Sequence, residues 1–222
     1  MKKLLIFGNS VMAEVALFYF NRDSEYEVVG FCVDQEFIEN NKFCNLPVFP
    51  FEEVEKSYPC SEIDFFIAIG PTKMNVVREG KFLAVKSKGY HCASYISPYA
   101  ICDSKIPENC YIADHAIINP NVELFANTYI YEQVIVSAHA TIDKNCYITP
   151  KAYIGSYSFV RNNCILGVNC NIKSKVTVKQ YSLIGSNCYI AKDTEEQGVY
   201  GIKGSECFGN ISKKIDISKN YV

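Results

Sequence analysis

The sequence predicts an α/β domain followed by a three-sided parallel β-helix, and three observations carry that reading. From Ile106 to Ile190 an aliphatic residue stands at every sixth position. Four residues after each but the last lies a second column, Cys110, Ala116, Val122, Thr128, Val134, Ala140, Cys146, Ala152, Ser158, Cys164, Cys170, Val176, Ser182 and Cys188, in which nothing is larger than valine. Ahead of this array, short apolar runs alternate with helix signals, as an open α/β sheet requires. A six-residue period with one branched and one compact residue per unit marks flat strands stacked as the sides of a prism, three hexads to a coil. The chain therefore divides into an α/β domain over residues 1–98, a β-helix over 99–192 and a capping segment over 193–222.

Each element of the first domain has a local cause. Leu4 to Phe7 is a continuous apolar run, the pattern of a parallel strand buried on both faces. Gly8-Asn9-Ser10 is the turn after it, and Val11, Val15, Ala16, Phe18 and Tyr19 place one apolar stripe on a helix from Val11 to Phe20. Val28 to Val33 reads as the second strand, ended by Asp34. Pro50, followed by Phe51-Glu52-Glu53-Val54, suits a helix start, with proline at the first turn and acids against the dipole. A third strand, Phe65 to Ile69, stops at Gly70-Pro71, and Thr72 can cap a helix to Lys88 that Gly89 closes. Tyr90 to Ile96 reads as a last strand leading to Ser97-Pro98.

In the array, residues two apart on a flat strand point the same way, so the aliphatic column and the compact column both face the prism axis. Tyr111, Tyr129, Tyr147, Tyr153, Phe159 and Tyr189, each one residue after the compact column, should then face outward. An aromatic exterior of that extent calls either for a neighbouring subunit to cover it or for a tyrosine ladder stacked across strands. Open sheet edges at the prism's ends need blocking. The α/β domain can cap the first coil, and the segment from Asp193 onward, with Lys213, Lys214 and Lys219, can fold over the last.

Composition narrows the function. A formal net charge of -2 leaves no basic excess to hold a phosphate backbone, which argues against nucleic acid. The apolar run near the N-terminus stops at Gly8, too short for a signal peptide's core or a membrane span, so the expected location is cytoplasmic. Cys110, Cys146, Cys164, Cys170 and Cys188 fall in the compact inward column and act there as small hydrophobes. No CxxC pair occurs, which disfavours a zinc ribbon, and no metal site is expected.

Several segments together carry a family resemblance: Leu4-Leu5-Ile6-Phe7-Gly8, Val28-Val29-Gly30-Phe31-Cys32-Val33-Asp34, Phe66-Ile67-Ala68-Ile69-Gly70, Ile96-Ser97-Pro98-Tyr99-Ala100, the hexad array, and Gly198-Val199-Tyr200-Gly201. The chain resembles the two-domain bacterial hexapeptide-repeat sugar acyltransferases, which include sialic-acid O-acetyltransferases and N-acetyltransferases of nucleotide-linked 4-amino sugars. That resemblance implies an N-terminal Rossmann-like domain with a nucleotide-sugar site, then a left-handed β-helix. It also implies a homotrimer, with acetyl-CoA lying in the groove between adjacent prisms. Gly8, Asn9, Ser10, Asp34 and Gly70 stand where the family binds its sugar nucleotide. Gly8-Asn9-Ser10 keeps only the first glycine of the usual glycine-rich stretch, so it is either a phosphate-binding turn at a helix N-terminus or a plain strand-to-helix turn. Gly155, Ser156, Gly167, Lys173 and Gly185 are the implied coenzyme contacts, and Arg161, Lys175 and Lys179 could meet its phosphates. The usual terminal Gly-Val-Pro-Ala-Lys is represented by Gly201-Ile202-Lys203-Gly204, which lacks the proline.

In such enzymes a histidine removes the acceptor's proton and a following acid orients it. Aligned without gaps, the histidine's place holds Ala138, and His139 stands at the acid's place. Three readings stay open. His139 is the base from a displaced corner; or it is an exposed corner residue; or another group, such as Asp114 or His115, has taken over. His91 reads as structural. The resemblance implies acyl transfer from acetyl-CoA to an amino or hydroxyl group of a sugar or nucleotide-sugar in bacterial surface-glycan biosynthesis. The alternative is a non-catalytic trimeric relative that binds sugar nucleotide without acyl transfer.

Overall fold

The structure, a computed structural model, describes residues 2–204. Lys213, Lys214 and Lys219 lie outside the described residues. The first domain holds a five-stranded sheet of β1 (Lys2–Phe7), β2 (Tyr26–Val33), β3 (Lys42–Phe43), β4 (Leu46–Pro50) and β5 (Ile63–Ile67), in the order β3-β4-β2-β1-β5. All pairings are parallel except the β3–β4 hairpin. The central β1 explains its own composition: Leu4, Leu5 and Ile6 are fully buried between layers. Around the sheet run α1 (Val11–Asp23), the single-turn α2 (Val54–Ser57) and α3 (Val76–Ser87).

Three elements depart from the sequence reading. The β3–β4 hairpin turns through Cys44 and Asn45, both left-handed (φ 46° and 63°), the geometry of a two-residue type I′ turn. α3 starts at Val76 rather than Thr72, because Lys73, Met74 and Asn75 are all left-handed and break the first turn. Tyr90 to Ile96 is split between two sheets: Cys92 bridges to Phe65, while Tyr95–Ile96 pairs with Tyr111–Ile112 in the prism.

The β-helix has three parallel faces of seven, six and four two-residue strands, and its pairing reaches from Tyr95–Ile96 to Val199–Tyr200. Both inward columns fill one continuous core, in which Ile130, Ile142, Ile148, Cys146 and Cys164 are fully buried. A third column sits at the corners. Asn109, His115, Asn121, Asn127, Gln133, His139, Asn145 and their successors to Asn187 all have φ between 54° and 64°. Asparagine tolerates that left-handed conformation best, which explains its frequency there. Past the last aliphatic of the array, Asp193 and Thr194 accept hydrogen bonds from the Thr177 and Lys179 amides (2.8 and 2.7 Å), blocking one edge of the final coil.

The two domains meet along one side of the prism, not across its first coil as expected. Tyr95, Tyr111, Tyr129 and Tyr147 stand on the seven-stranded face and are at most 8% exposed, packed with Phe20, Phe66 and Ala16. Their rings stack from coil to coil at 5.4–5.9 Å, and Phe66 stacks on Tyr129 at 5.8 Å. The cover over these tyrosines is thus the chain's own α/β domain, which corrects the expectation of a neighbouring subunit for this face. Phe159 and Tyr189, on the other faces, remain exposed.

Arg78 of α3 is fully buried at this junction. Its guanidinium donates to the carbonyls of Asn127, Asn145 and Cys146 (3.1–3.3 Å), to Ile69 O (3.4 Å) and to Asn75 Oδ1 (2.9 Å). Beside it, Asn109, Asn127, Asn145 and Asn163 form a buried ladder of side-chain amide bonds, one rung per coil. Asn109 also accepts from the Ile67 amide, and Asn163 donates to Glu79, so the ladder is tied to the first domain at both ends.

Candidate functional site

Gly8, Asn9, Ser10, Asp34 and Gly70 converge on one pocket of about 210 Å³ at the carboxyl ends of β1, β2 and β5. Open α/β sheets bind ligands at that position. Gly8 has φ 129°, and a Cβ there would lie 2.9 Å from Ala68 O, so the turn admits only glycine. Ser10 caps α1 through its carbonyl, which accepts from Ala13 N and Glu14 N (2.8 and 3.1 Å), while its side chain makes no capping bond. The hydroxyl and the first helical amides therefore remain available to an anion at the positive end of the helix. Asn9 Nδ2 donates to Phe37 O at 3.1 Å and holds the opposite wall. Lys81, on α3, pairs with both oxygens of Asp34 (2.5 and 2.7 Å). Its part in the pocket was not legible in the sequence, because a lone lysine on a helix reads as a solvated charge until the fold brings it to Asp34.

A larger cleft of about 680 Å³ separates α1 from the prism. Met12, Glu14, Val15, Phe18 and Tyr19 form its helix wall, and Tyr131, Glu132, Tyr147, Thr149, Pro150 and Val168 its prism wall. The Tyr131 and Tyr147 hydroxyls share a 2.6 Å hydrogen bond, and both approach the Met12 sulfur. Met12 also lies close to Gly70 of the pocket, where a methyl would stand 4.0 Å from its Cγ. Pocket and cleft are thus neighbours on either side of one methionine. Burial, then the nearby Glu132 carboxylate, raises the Tyr19 pKa. Burial chiefly does the same for Tyr111, Tyr131 and Tyr147.

The histidines and coenzyme candidates lie along the prism's corners. His139 is an exposed left-handed corner residue, its ring stacked on Tyr157 one coil further at 4.7 Å. Among the described residues no carboxylate bonds to its ring. His115, at a different corner, tilts against Tyr99 at 6.0 Å. Asp114 is held by Arg22 (2.9 and 3.2 Å) and Ser97 (2.5 Å), and the Arg22 bond chiefly keeps its pKa low. His91 bonds to buried Asp64 at 2.8 Å.

Gly155, Ser156 and Lys173 follow the same prism edge as His139, whereas Gly167 and Gly185 follow the next edge. A Cβ on Gly155 would strike the Ser174 backbone, one on Gly167 would lie 2.6 Å from Ser186 N, and one on Gly185 2.9 Å from Tyr200 O. Coil stacking alone therefore requires glycine at these three places. Arg161 and Lys179 pair with Asp143 and Glu195, while Lys173 and Lys175 form no ion pair among the described residues.

A family model described as the GMPPB C-terminal domain matches residues 106–200. No curated protein matches the sequence. Among solved structures, WeeI from Acinetobacter baumannii AYE has a TM-score of 0.73 at 15% identity, covering 91% of this chain and 95% of that one. The acetyltransferase domain of PglB from Neisseria gonorrhoeae FA1090 has a TM-score of 0.56 at 17% identity, covering 90% and 96%. A point mutant of perosamine N-acetyltransferase from Caulobacter crescentus, in complex with CoA and GDP-perosamine, has a TM-score of 0.58 at 17% identity, covering 92% and 98%. The chain shares with these proteins, over nearly its whole length, the fold of an α/β domain joined to a parallel β-helix.

Proposed function

We propose that this protein transfers an acyl group, acetyl in the leading case, from acyl-CoA to an amino or hydroxyl group of a nucleotide-linked sugar. The observation that carries the reading is the convergence of Gly8, Asn9, Ser10, Asp34 and Gly70 on a pocket that adjoins the cleft between α1 and the prism. Support also comes from structural neighbours described as acetyltransferases, of which one holds CoA and GDP-perosamine. In this reading the first domain is Rossmann-like and the β-helix left-handed. The protein acts as a homotrimer in the cytoplasm, in bacterial surface-glycan biosynthesis.

The chain's own groups divide the work. Ser10 and the first amides of α1 receive the diphosphate, and Asp34 with Lys81 receives the nucleoside. The sugar then extends along α1 past Met12 into the cleft. Ser156 and Lys173 on one edge, with Gly167 and Gly185 on the next, line the coenzyme's path between neighbouring prisms. The acceptor's lone pair attacks the thioester carbonyl, a C–N or C–O bond forms, the C–S bond breaks and the coenzyme thiol leaves.

A second reading, a non-catalytic trimer that binds sugar nucleotide, is favoured by Ala138 at the expected base position and by a His139 ring that no carboxylate orients among the described residues. Incubating the protein with acetyl-CoA and a panel of GDP- and UDP-linked amino sugars, while following free thiol and product mass, separates the two. Nucleotide binding without thiol release would establish the second reading, and neither binding nor release would end both.

A further inference from the structure

Any acyl transfer at this site needs a group to take the acceptor's proton. Asp114 is committed to Arg22 and Ser97, and His139 stacks on Tyr157 at an exposed corner outside both cavities. The hydroxyls around the cleft are held neutral by burial, so they act as donors rather than bases. Glu132 differs from all of these. It lies half-buried on the prism wall of the cleft, beside the Tyr131–Tyr147 pair, and its carboxylate has neither ion pair nor hydrogen bond among the described residues. Nearby, the Tyr111 hydroxyl is buried without a partner among those residues, its ring 5.4 Å from Tyr131 and 5.9 Å from Tyr19.

With a diphosphate at Ser10, a hexose attached to it reaches one helical turn along α1, about 5.4 Å, which is the level of Met12 and Glu14. Glu14, the other carboxylate in the cleft, lies on the exposed helix wall rather than beside the tyrosine pair.

We propose that Glu132 is the proton acceptor of this protein, occupying functionally the place that Ala138 leaves vacant. The inference rests on the acyl-transfer reading. As the acceptor's nitrogen or oxygen bonds to the acyl carbon, its proton passes to a Glu132 carboxylate oxygen. The departing sulfur gains that proton, so the net change is acyl-thioester plus acceptor to acylated acceptor plus free thiol.

The test uses the full-length protein, the sugar nucleotide that the panel identifies and acetyl-CoA. Glu132→Gln should lower kcat by about 10²–10⁴-fold, the range for loss of a general base, with little change in the calorimetric affinity for the sugar nucleotide. The acid limb of its kcat profile should also flatten, whereas His139→Ala should keep that limb. Glu132→Asp should recover part of the rate. Wild-type activity with a Glu132→Gln rate within about threefold, or an acid limb lost on His139→Ala instead, overturns the assignment. A wild type that releases no thiol from any pair overturns the acyl-transfer reading itself.

Discussion

The Arg78 guanidinium carbon lies 4.6 Å from the centroid of the Tyr129 ring and 5.5 Å from that of Tyr147, so a fully buried cation from the first domain rests on two aromatic faces of the second. No carboxylate pairs with it among the described residues. Burial pushes its pKa down, and backbone carbonyls at a prism corner replace the missing counter-charge.

Removing that group should unfasten the domains. Arg78→Met strands the carbonyls of Asn127 and Asn145 in a dry junction, whereas Cys146 O keeps its bond from the Tyr129 amide, and each buried acceptor left unsatisfied costs about 1–3 kcal/mol. Arg78→Lys should not recover it, because an ammonium cannot span the same set of acceptors or stack on both rings. Urea denaturation gives the value, and an Arg78→Met midpoint equal to wild type would show that the junction holds by its aromatic contacts alone.

The glycines of the late coils allow a comparison within one residue type. Gly155→Ala drives a Cβ into the Ser174 backbone, where no side chain can yield, so the coil itself must move; about 1–3 kcal/mol of destabilisation is expected. At Gly201 a Cβ meets nothing within 4 Å, and Gly201→Ala should be near neutral. Equal melting temperatures for the two variants would contradict the stacking account of Gly155.

Much of the fold was legible because its cause is periodic. A residue that must fill the prism axis recurs at a fixed interval, so Ile106 to Ile190 declare the β-helix without reference to anything distant. The covering of Tyr111, Tyr129 and Tyr147 was not legible, since an outward ring looks the same whether a subunit, solvent or the chain's own domain lies over it. The β3–β4 hairpin escaped because Cys44 is an unusual residue for a left-handed turn position, and the start of α3 escaped because Lys73 and Met74 carry no mark of their left-handed backbone. Five lining residues of the pocket, Gly8, Asn9, Ser10, Asp34 and Gly70, were named through the family resemblance, whereas Lys81 was not. The cleft was not, because Met12, Glu132 and Val168 come together only when α1 lies along the prism.

Asp64 sets a pH dependence of known sign. Although burial pushes its pKa up, hydrogen bonds from Lys2, Tyr26 and His91 outweigh it and hold the carboxyl below its ordinary 3.8. A carboxylate with a depressed folded-state pKa contributes stability that is fully present above 3.8 and lost as pH falls through the folded value. Denaturation midpoints should therefore drop on acidification below that point, and Asp64→Asn should lose part of the drop along with stability at neutral pH. An unchanged acid profile in Asp64→Asn would assign the acid sensitivity to other groups.

Asp34 and Lys81 provide the most direct check on the pocket, because their pairing predicts an asymmetry. Lys81 already neutralises Asp34 in the free protein, with both carboxylate oxygens within 2.7 Å of its ammonium. A nucleoside that hydrogen-bonds to Asp34 must share the carboxylate with Lys81 rather than meet a bare anion. Asp34→Ala removes the acceptor and leaves Lys81 uncompensated beside the pocket, so sugar-nucleotide affinity should fall by about tenfold or more, the worth of one charge-assisted hydrogen bond. Lys81→Met removes the competitor for Asp34 together with one cation near the ligand, and its effect should be smaller at high salt, where the lost long-range attraction matters less. Calorimetry at two ionic strengths distinguishes these terms. If Asp34→Ala binds sugar nucleotides as wild type does, the pocket at the carboxyl ends of β1, β2 and β5 is not where the nucleoside sits.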